Sequence, residues 1–115
     1  MTYEKALEII EAEFDTIYCS KVNKTIKTGL SYDGARPFSL NIYNSTNGVI
    51  LTDLGNTKEV FDEVSEQEWE DLCISHGFKF ENFKITHEFT SIKDVYDFIA
   101  FLDFISDKFF DDFED

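Results

Sequence analysis

The residues best suited to chemistry in this chain are its histidines and cysteines. His76 follows Cys73 by three residues, so on a helix the imidazole and the thiol would share one face and could form a nucleophilic pair. Trp69 and Leu72 fall on that same face, which favours a packed cysteine beside a histidine at a helix end. A small enzyme would need Cys73, His76 or Asp53 in a pocket, and the sequence suggests no substrate for it.

Metal and nucleotide sites have weak support. A zinc site needs about four ligands with short paired spacings. Cys73 and His76 supply one pair, whereas His87 with Glu88 makes a poor second pair. The sequence contains no glycine-rich phosphate loop, no GxSxG and no HExxH, so we expect no metal and no cofactor.

The other candidate acids lie close to turns. The segment 81–84 misses the acid–x–Lys spacing of a metal-dependent nuclease by one residue. Asp33 and Asp53 could meet beside a hairpin, yet each is better explained as a turn residue or as the residue at a helix start. We therefore predict no catalytic residue and expect that the protein is not an enzyme.

Composition limits the classes of protein to which the chain can belong. With 115 residues, 43% of them hydrophobic and thirteen of them phenylalanine, it can build one domain around a genuine core. Its 24 Asp and Glu against 10 Lys and Arg give a net charge of −14. Such a field repels phosphate, which argues against direct binding of DNA, RNA or anionic lipid, and it attracts basic proteins.

The sequence predicts a cytoplasmic protein, which for a phage gene would mean the cytoplasm of the host cell. Glutamates interrupt the N-terminal segment 1–14, so it lacks the basic start and the apolar run of a secretory signal. No window approaches the roughly 18 apolar residues that a membrane span requires. Cys19 and Cys73 lie far apart and outside any CxxC motif, which favours reduced thiols over a disulfide.

Hydrophobic periodicity predicts the elements that would position these residues. Thr2 is a plausible N-cap of a first helix, whose apolar stripe consists of Tyr3, Leu7, Ile10, Phe14 and Ile17. The segment 24–30 predicts a short strand, and 37–44 predicts a half-buried strand with an inner face formed by Phe38, Leu40 and Ile42. Asn47-Gly48 is typical of a hairpin turn, after which the chain would return as a further strand.

One or two helices are predicted after this hairpin. Thr57 is the expected cap of a short helix that runs to Val64, and Ser65 with Glu68 fits a capping box. That box would start either a second helix or a continuation of the first. Gly77 is a natural residue to end this helical region.

The last part of the chain predicts a second hairpin and a long helix. Two short strands would join at 81–82, and Ser91 would cap a helix with a buried stripe formed by Ile92, Val95, Tyr96, Ile99, Leu102 and Ile105 and widened by Phe98, Phe101 and Phe104. The whole pattern predicts an α+β fold, in which a small antiparallel sheet of about three to five strands packs against N- and C-terminal helices. We expect a single domain over 1–115 with a short acidic tail at 111–115.

Negative charge is concentrated in the predicted helices, with −7 over residues 53–75 and −6 over residues 91–115, against +3 over residues 21–52. If the helix continues past Ser65, one acidic row results, and its members are Glu59, Asp62, Glu63, Glu66 and Glu70. A second row repeats every four residues at the end of the last helix and consists of Asp103, Asp107 and Asp111. Like charges one turn apart destabilise a helix by a few tenths of a kcal/mol per pair. The rows are either ordinary solvated surface or partner-binding residues that imitate the charge of a nucleic acid.

The positive segment forms a local basic patch, and its residues are Lys21, Lys24, Lys27 and Arg36, with Tyr32 nearby. Such a patch could contact RNA. Four charges against a net charge of −14 favour instead a sheet face whose positive charge is balanced by neighbouring acids.

Four segments carry a family resemblance, namely Arg36-Pro37-Phe38, Leu40-Asn41-Ile42-Tyr43, Leu51-Thr52-Asp53-Leu54-Gly55 and Gly77-Phe78. Through them the chain from about residue 32 to 103 resembles a prokaryotic family known only as domain of unknown function 1828. The resemblance implies an α+β fold and a bacterial or phage origin, and it implies no mechanism. In size and composition the chain is also similar, as a class, to the small acidic anti-defence proteins of phages, which include anti-CRISPR and anti-restriction proteins.

The sequence supports two functional hypotheses. The first is a non-enzymatic acidic protein that acts as a DNA mimic and inhibits a basic partner, such as a nuclease or another nucleic-acid-binding protein. The alternative is a structural or regulatory interaction module that binds a partner or a second copy through apolar residues near the C-terminus, namely Phe109, Phe110 and Phe113.

Overall fold

Along the described residues, a helix is followed by four strands, two helices, a second hairpin and a long helix. The computed structural model describes residues 1–20, 23–32, 37–46 and 48–113. The elements are α1 (Tyr3–Glu11), β1 (Asp15–Ser20), β2 (Asn23–Ser31), β3 (Pro37–Ser45), β4 (Gly48–Thr52), α2 (Asn56–Val60), α3 (Glu66–Ser75), β5 (Lys79–Glu81), β6 (Lys84–Glu88) and α4 (Ile92–Phe113).

All six strands of the described residues belong to one antiparallel sheet, in the order β1-β2-β3-β4-β6-β5. α2 and α3 are inserted in the chain between β4 and β6, which are neighbours with Thr52 opposite Thr86. The predicted α+β fold with N- and C-terminal helices is confirmed. The sheet has one strand more than the expected upper limit of five.

One hydrophobic core joins the sheet to the helices. The predicted inner face of β3 is confirmed, because Phe38, Leu40 and Ile42 are all buried. The largest fully buried side chains come from both kinds of element, and they include Ile10, Ile26, Leu51, Phe61, Trp69, Phe98, Leu102 and Ile105. β3 and β4 form the predicted hairpin with Ser45 opposite Gly48, while Asn47 lies outside the described residues.

The extra strand is β1, which the sequence reasoning missed. Thr2 caps α1 as predicted, since its hydroxyl oxygen accepts the Lys5 N–H at 3.2 Å. The helix ends at Glu11, however, and Ile17 lies opposite Thr25 in the sheet with 49% of its surface exposed. Placing Ile17 on the helical stripe was therefore wrong. The β-branched pair at positions 16 and 17 favours a strand over a helix, and pairing with β2 stabilises that choice.

α2 is shorter than predicted, and Thr57 is not its cap. The helix ends at Val60, and Thr57 lies inside it, buried, with its hydroxyl 2.6 Å from that of Tyr32. Ser65 then starts a separate helix, α3, and accepts the Glu68 N–H at 3.2 Å. Of the two possibilities left open at Ser65, the structure contains the second helix, and Ser65 is confirmed as its N-cap.

Two turns end this region. Gly77 follows α3 with φ +82°, and the Phe78 N–H donates to the Cys73 carbonyl oxygen at 2.8 Å, which completes the predicted C-terminal cap. The second hairpin is also confirmed. Its turn residues are Asn82 and Phe83, one position later than expected, and both have positive φ as a two-residue type I′ turn requires.

α4 begins directly after Ser91, as predicted, and its buried face differs from the predicted stripe at two positions. Tyr96 and Phe104 are exposed, by 49% and 44%. The Tyr96 ring packs on Phe14 while its hydroxyl donates to the Glu13 carboxylate, so this side chain links α4 to the end of α1 from outside the core. Among the described residues, no helix has both the length and the apolar character needed to cross a membrane.

Candidate functional site

α3 and the C-terminal half of α4 lie side by side and run in opposite directions. Near the start of α3, the Trp69 ring centroid is 5.2 Å from that of Phe109. At the end of α3, the His76 ring centroid is 4.9 Å from that of Phe101. These two contacts bring together the two most acidic segments of the chain.

Both helices carry exposed carboxylates. We define the acidic helical surface as Glu66 and Glu70 of α3 with Asp103 and Asp107 of α4, all four of which are exposed. None of them forms an ion pair with another described residue. Each helix therefore bears a like-charged i,i+4 pair whose members form no ion pair with a described residue.

The first predicted acidic row is not continuous. Because α2 ends at Val60 and α3 begins at Glu66, the condition of one helix past Ser65 fails. Glu59 lies on α2, and the connection between the two helices holds Asp62 and Glu63. All three are exposed. In the second row, Asp103 and Asp107 share one face of α4, while the Asp111 side chain lies outside the described residues.

Cys73 and His76 do not form an activated pair. Cys73 is fully buried, and burial, with a smaller contribution from the charge of Asp53, raises the pKa of its thiol to about 12. The thiol is therefore protonated at neutral pH and cannot act as a nucleophile. His76 Nδ1 lies 3.0 Å from the Leu72 carbonyl oxygen, and its ring packs against those of Phe101 and Phe104.

His87 has a structural partner. Its Nε2 lies 3.3 Å from Asp94 Oδ1, and its ring centroid is 4.6 Å from that of Phe78. Burial raises the pKa of Asp94, but hydrogen bonds from Thr90, from the Ser91 N–H and from His87 outweigh it and hold that pKa below its ordinary value. In the part of the chain that the structure describes, no three potential metal ligands come together.

Asp53 is a helix-start residue, as predicted. Its carboxylate is fully buried and accepts three backbone N–H groups, from Gly55 at 2.9 Å, Thr57 at 3.2 Å and Ile85 at 2.9 Å. It thereby ties the start of α2 to β6. Asp33, with which it could have met, lies outside the described residues.

The basic patch is partly balanced by an acid. Lys24 Nζ lies 2.6 Å from Glu11 Oε1, and Tyr32 is buried rather than available for stacking on a base. Lys27 is exposed, whereas Lys21 and Arg36 lie outside the described residues. The Lys24–Glu11 pair supports the interpretation of a balanced sheet face.

Sequence reasoning missed a solvent-accessible hollow at the end of α3. Its volume is 330 Å³, and the residues that line it are His76, Phe78, His87, Asp97, Ala100, Phe101 and Phe104. The signal was present in α4, where Asp97, Ala100, Phe104 and Asp107 follow steps of three and four residues. This row was overlooked because Phe104 was assigned to the buried stripe.

One of the three phenylalanines that were expected to form an apolar C-terminal surface is not exposed. Phe109 is buried, with its ring against those of Phe61 and Trp69. The expectation that it helps form an exposed surface was therefore wrong, because the core extends further along α4 than the predicted stripe. The side chains of Phe110 and Phe113 lie outside the described residues.

Comparison with known proteins adds no relative. No family model matches the chain, and neither the curated proteins nor the solved structures contain a significant match to it. The resemblance to domain of unknown function 1828 and the class likeness to anti-defence proteins therefore stay predictions.

Proposed function

We propose that this protein is a non-enzymatic acidic inhibitor that binds a basic, nucleic-acid-handling protein through its acidic helical surface. The observation that carries the proposal is the packing of Trp69 against Phe109, which holds two acidic helices side by side. A phage or other mobile-element protein directed against host defence, such as an anti-CRISPR protein, would fit this chemistry.

The charge of the surface supports binding to a protein that normally holds a phosphate backbone. Four residues of α-helix span about 6 Å, so Asp103 and Asp107 repeat negative charge at that interval along α4. A basic groove would be attracted to such repeated charge at long range, which speeds encounter and makes binding sensitive to salt. The same field repels nucleic acid, so the protein itself has no need to contact DNA.

The buried core supports a passive role for the rest of the molecule. Cys73 is a protonated core thiol and Asp53 is a structural carboxylate, so two of the three residues that an enzyme would need are used for packing and capping. The third, His76, lines the hollow at the end of α3, whose lining includes neither of the other two. The exposed carboxylates remain as the chemically distinctive groups of this part of the surface.

The test compares two variants of equal charge. The first neutralises the acidic helical surface through Glu66→Gln, Glu70→Gln, Asp103→Asn and Asp107→Asn. The control neutralises four exposed acids elsewhere through Glu4→Gln, Glu8→Gln, Glu81→Gln and Glu88→Gln. Each immobilised protein is used to capture proteins from a bacterial lysate, and each captured protein is then purified and assayed for nucleic-acid binding or cleavage.

We expect the native protein and the control variant to capture and inhibit a nucleic-acid-handling protein, and the first variant to lose both properties. Added double-stranded DNA should compete for the captured protein, because the two polyanions would occupy one basic groove. Equal capture by the two variants, or a captured protein without nucleic-acid activity, would contradict the proposal.

A further inference from the structure

The hollow at the end of α3 has aromatic walls and one carboxylate, that of Asp97, in its lining. Phe78 and Phe101 stack with their ring centroids 4.5 Å apart, and His76 lies 4.8 Å from Phe104. Phe104 is 44% exposed, whereas Phe98, Phe101 and Phe109 of the same helix are buried. At 330 Å³ the hollow lies near the lower end of the range for ligand pockets, roughly 300–1,000 Å³, so it suits a small group.

The carboxylate in the lining of this hollow favours a cation. It belongs to Asp97, which precedes Ala100 by three residues on α4. Asp97 already holds one cation, because Lys93 Nζ lies 2.7 Å from its Oδ2. That ion pair is solvent-exposed and contributes little free energy. An incoming cation can therefore displace Lys93 from Asp97, or bind Asp97 together with it, at small cost.

We infer that the hollow binds the guanidinium group of an arginine side chain from the basic partner, an inference that rests on the proposed function. The face of an aromatic ring attracts a cation, and the flat guanidinium stacks on rings while its N–H groups pair with a carboxylate. Phe104 supplies the exposed ring and Asp97 the carboxylate. An anion is disfavoured by Asp97, and an apolar group would make no use of a carboxylate that can accept further N–H groups beside Lys93.

The probe is the peptide acetyl-Gly-Arg-Gly-Arg-Gly-amide, titrated at low ionic strength into the isotope-labelled full-length protein and followed by NMR. A second peptide carries citrulline, the neutral analogue of arginine, at both positions. We expect the arginine peptide to shift the His76 ring signals and the backbone amides of Ala100 and Phe104. The citrulline peptide should bind much more weakly.

Two variants with the same chemical change provide the matched comparison. Phe104→Ala should weaken binding of the arginine peptide about two- to five-fold, the value of an exposed cation–π contact. Phe83→Ala removes an equally exposed phenyl group from the β5–β6 turn and should leave the affinity unchanged. Because both rings are about half exposed, both variants should fold.

Equal binding of the two peptides, or no loss of affinity in Phe104→Ala, would overturn the inference. If the peptide shifts only the residues of the acidic helical surface, the hollow is not the arginine site, while the proposed function stands. An absence of any shift would also overturn the inference that the hollow binds arginine. The proposed function fails separately, when neutralising Glu66, Glu70, Asp103 and Asp107 leaves protein capture intact.

Discussion

The rings of Trp69 and Phe109 meet edge to face, with an interplanar angle of 70° and their centroids 5.2 Å apart. The Phe61 ring lies 5.6 Å from that of Phe109, so three aromatic residues join α3, its preceding loop and the end of α4. This cluster does more than fill the core. It fixes the distance between the two helices that carry the acidic helical surface.

Phe109→Ala should lower the free energy of unfolding by about 3–5 kcal/mol, because it leaves a cavity against Trp69 and Phe61. Phe104→Ala is the control on the same helix, and it should cost much less because its ring is 44% exposed. Urea denaturation of the two variants measures the difference. Equal losses would show that the end of α4 is not part of the core.

Asp53→Asn should lower the free energy of unfolding by about 1–3 kcal/mol. The carboxylate uses both oxygens to accept backbone N–H groups, and the amide of asparagine replaces one acceptor with a donor. Chemical denaturation checks this, with Asp62→Asn as the control at an exposed acid. A fully stable Asp53→Asn protein would mean that the carboxylate is retained for another purpose.

Local patterns predicted most of the fold. The caps at Thr2, Ser65 and Gly77 depend on neighbouring residues alone, and each was found where its chemistry indicated. β1 was missed because Phe14 and Ile17 continue the helical spacing of α1, whereas the strand is stabilised by β2, a partner that periodicity cannot show.

The candidate site was less predictable because it depends on tertiary contacts. Exposed acids on α3 and α4 follow from spacing, but their proximity depends on the Trp69–Phe109 contact. Thr57 illustrates the same limit. Its sequence context indicates a cap, yet its hydroxyl binds that of Tyr32 and the capping falls to Asp53.

Asp94 should make stability depend on pH. Its carboxylate accepts the N–H groups of Thr90 and Ser91 at the start of α4, and these bonds keep its pKa below the ordinary value of 3.8. As the pH is lowered, the Asp94 carboxylate therefore becomes protonated at a higher pH in the unfolded chain than in the folded protein. The stabilisation is complete above the unfolded pKa and is lost as the pH falls through the lower, folded pKa.

Asp94→Asn should accordingly cost about 1 kcal/mol at pH 7, the usual value of a helix cap, and the difference from the native protein should shrink below about pH 4. Denaturation at a series of pH values measures it. Thr90→Ala, which removes only one hydroxyl donor, should give a smaller loss over the same range. A difference that stays constant with pH would contradict this role of the ionised carboxylate.

Neutralising Asp103 and Asp107 should stabilise the fold and weaken binding of a basic partner. These acids are one turn apart on α4 and form no ion pair with a described residue, so Asp103→Asn with Asp107→Asn should raise the free energy of unfolding by a few tenths of a kcal/mol. Added salt screens the same repulsion, so it should also stabilise the fold and weaken binding of the partner. If these acids were only solvated surface, their removal would change stability without changing binding.

The matched control is Glu4→Gln with Glu8→Gln, which removes a like-charged pair at the same spacing from α1. It should lower stability slightly, because Glu4 lies in the first turn of α1, where a negative charge is favourable, and because the Lys5–Glu8 ion pair is lost. It should have no effect on partner binding. Parallel measurements of unfolding and of partner affinity therefore separate the two roles of the charge. Weakened binding in both variants would indicate that net charge, rather than the acidic helical surface, attracts the partner.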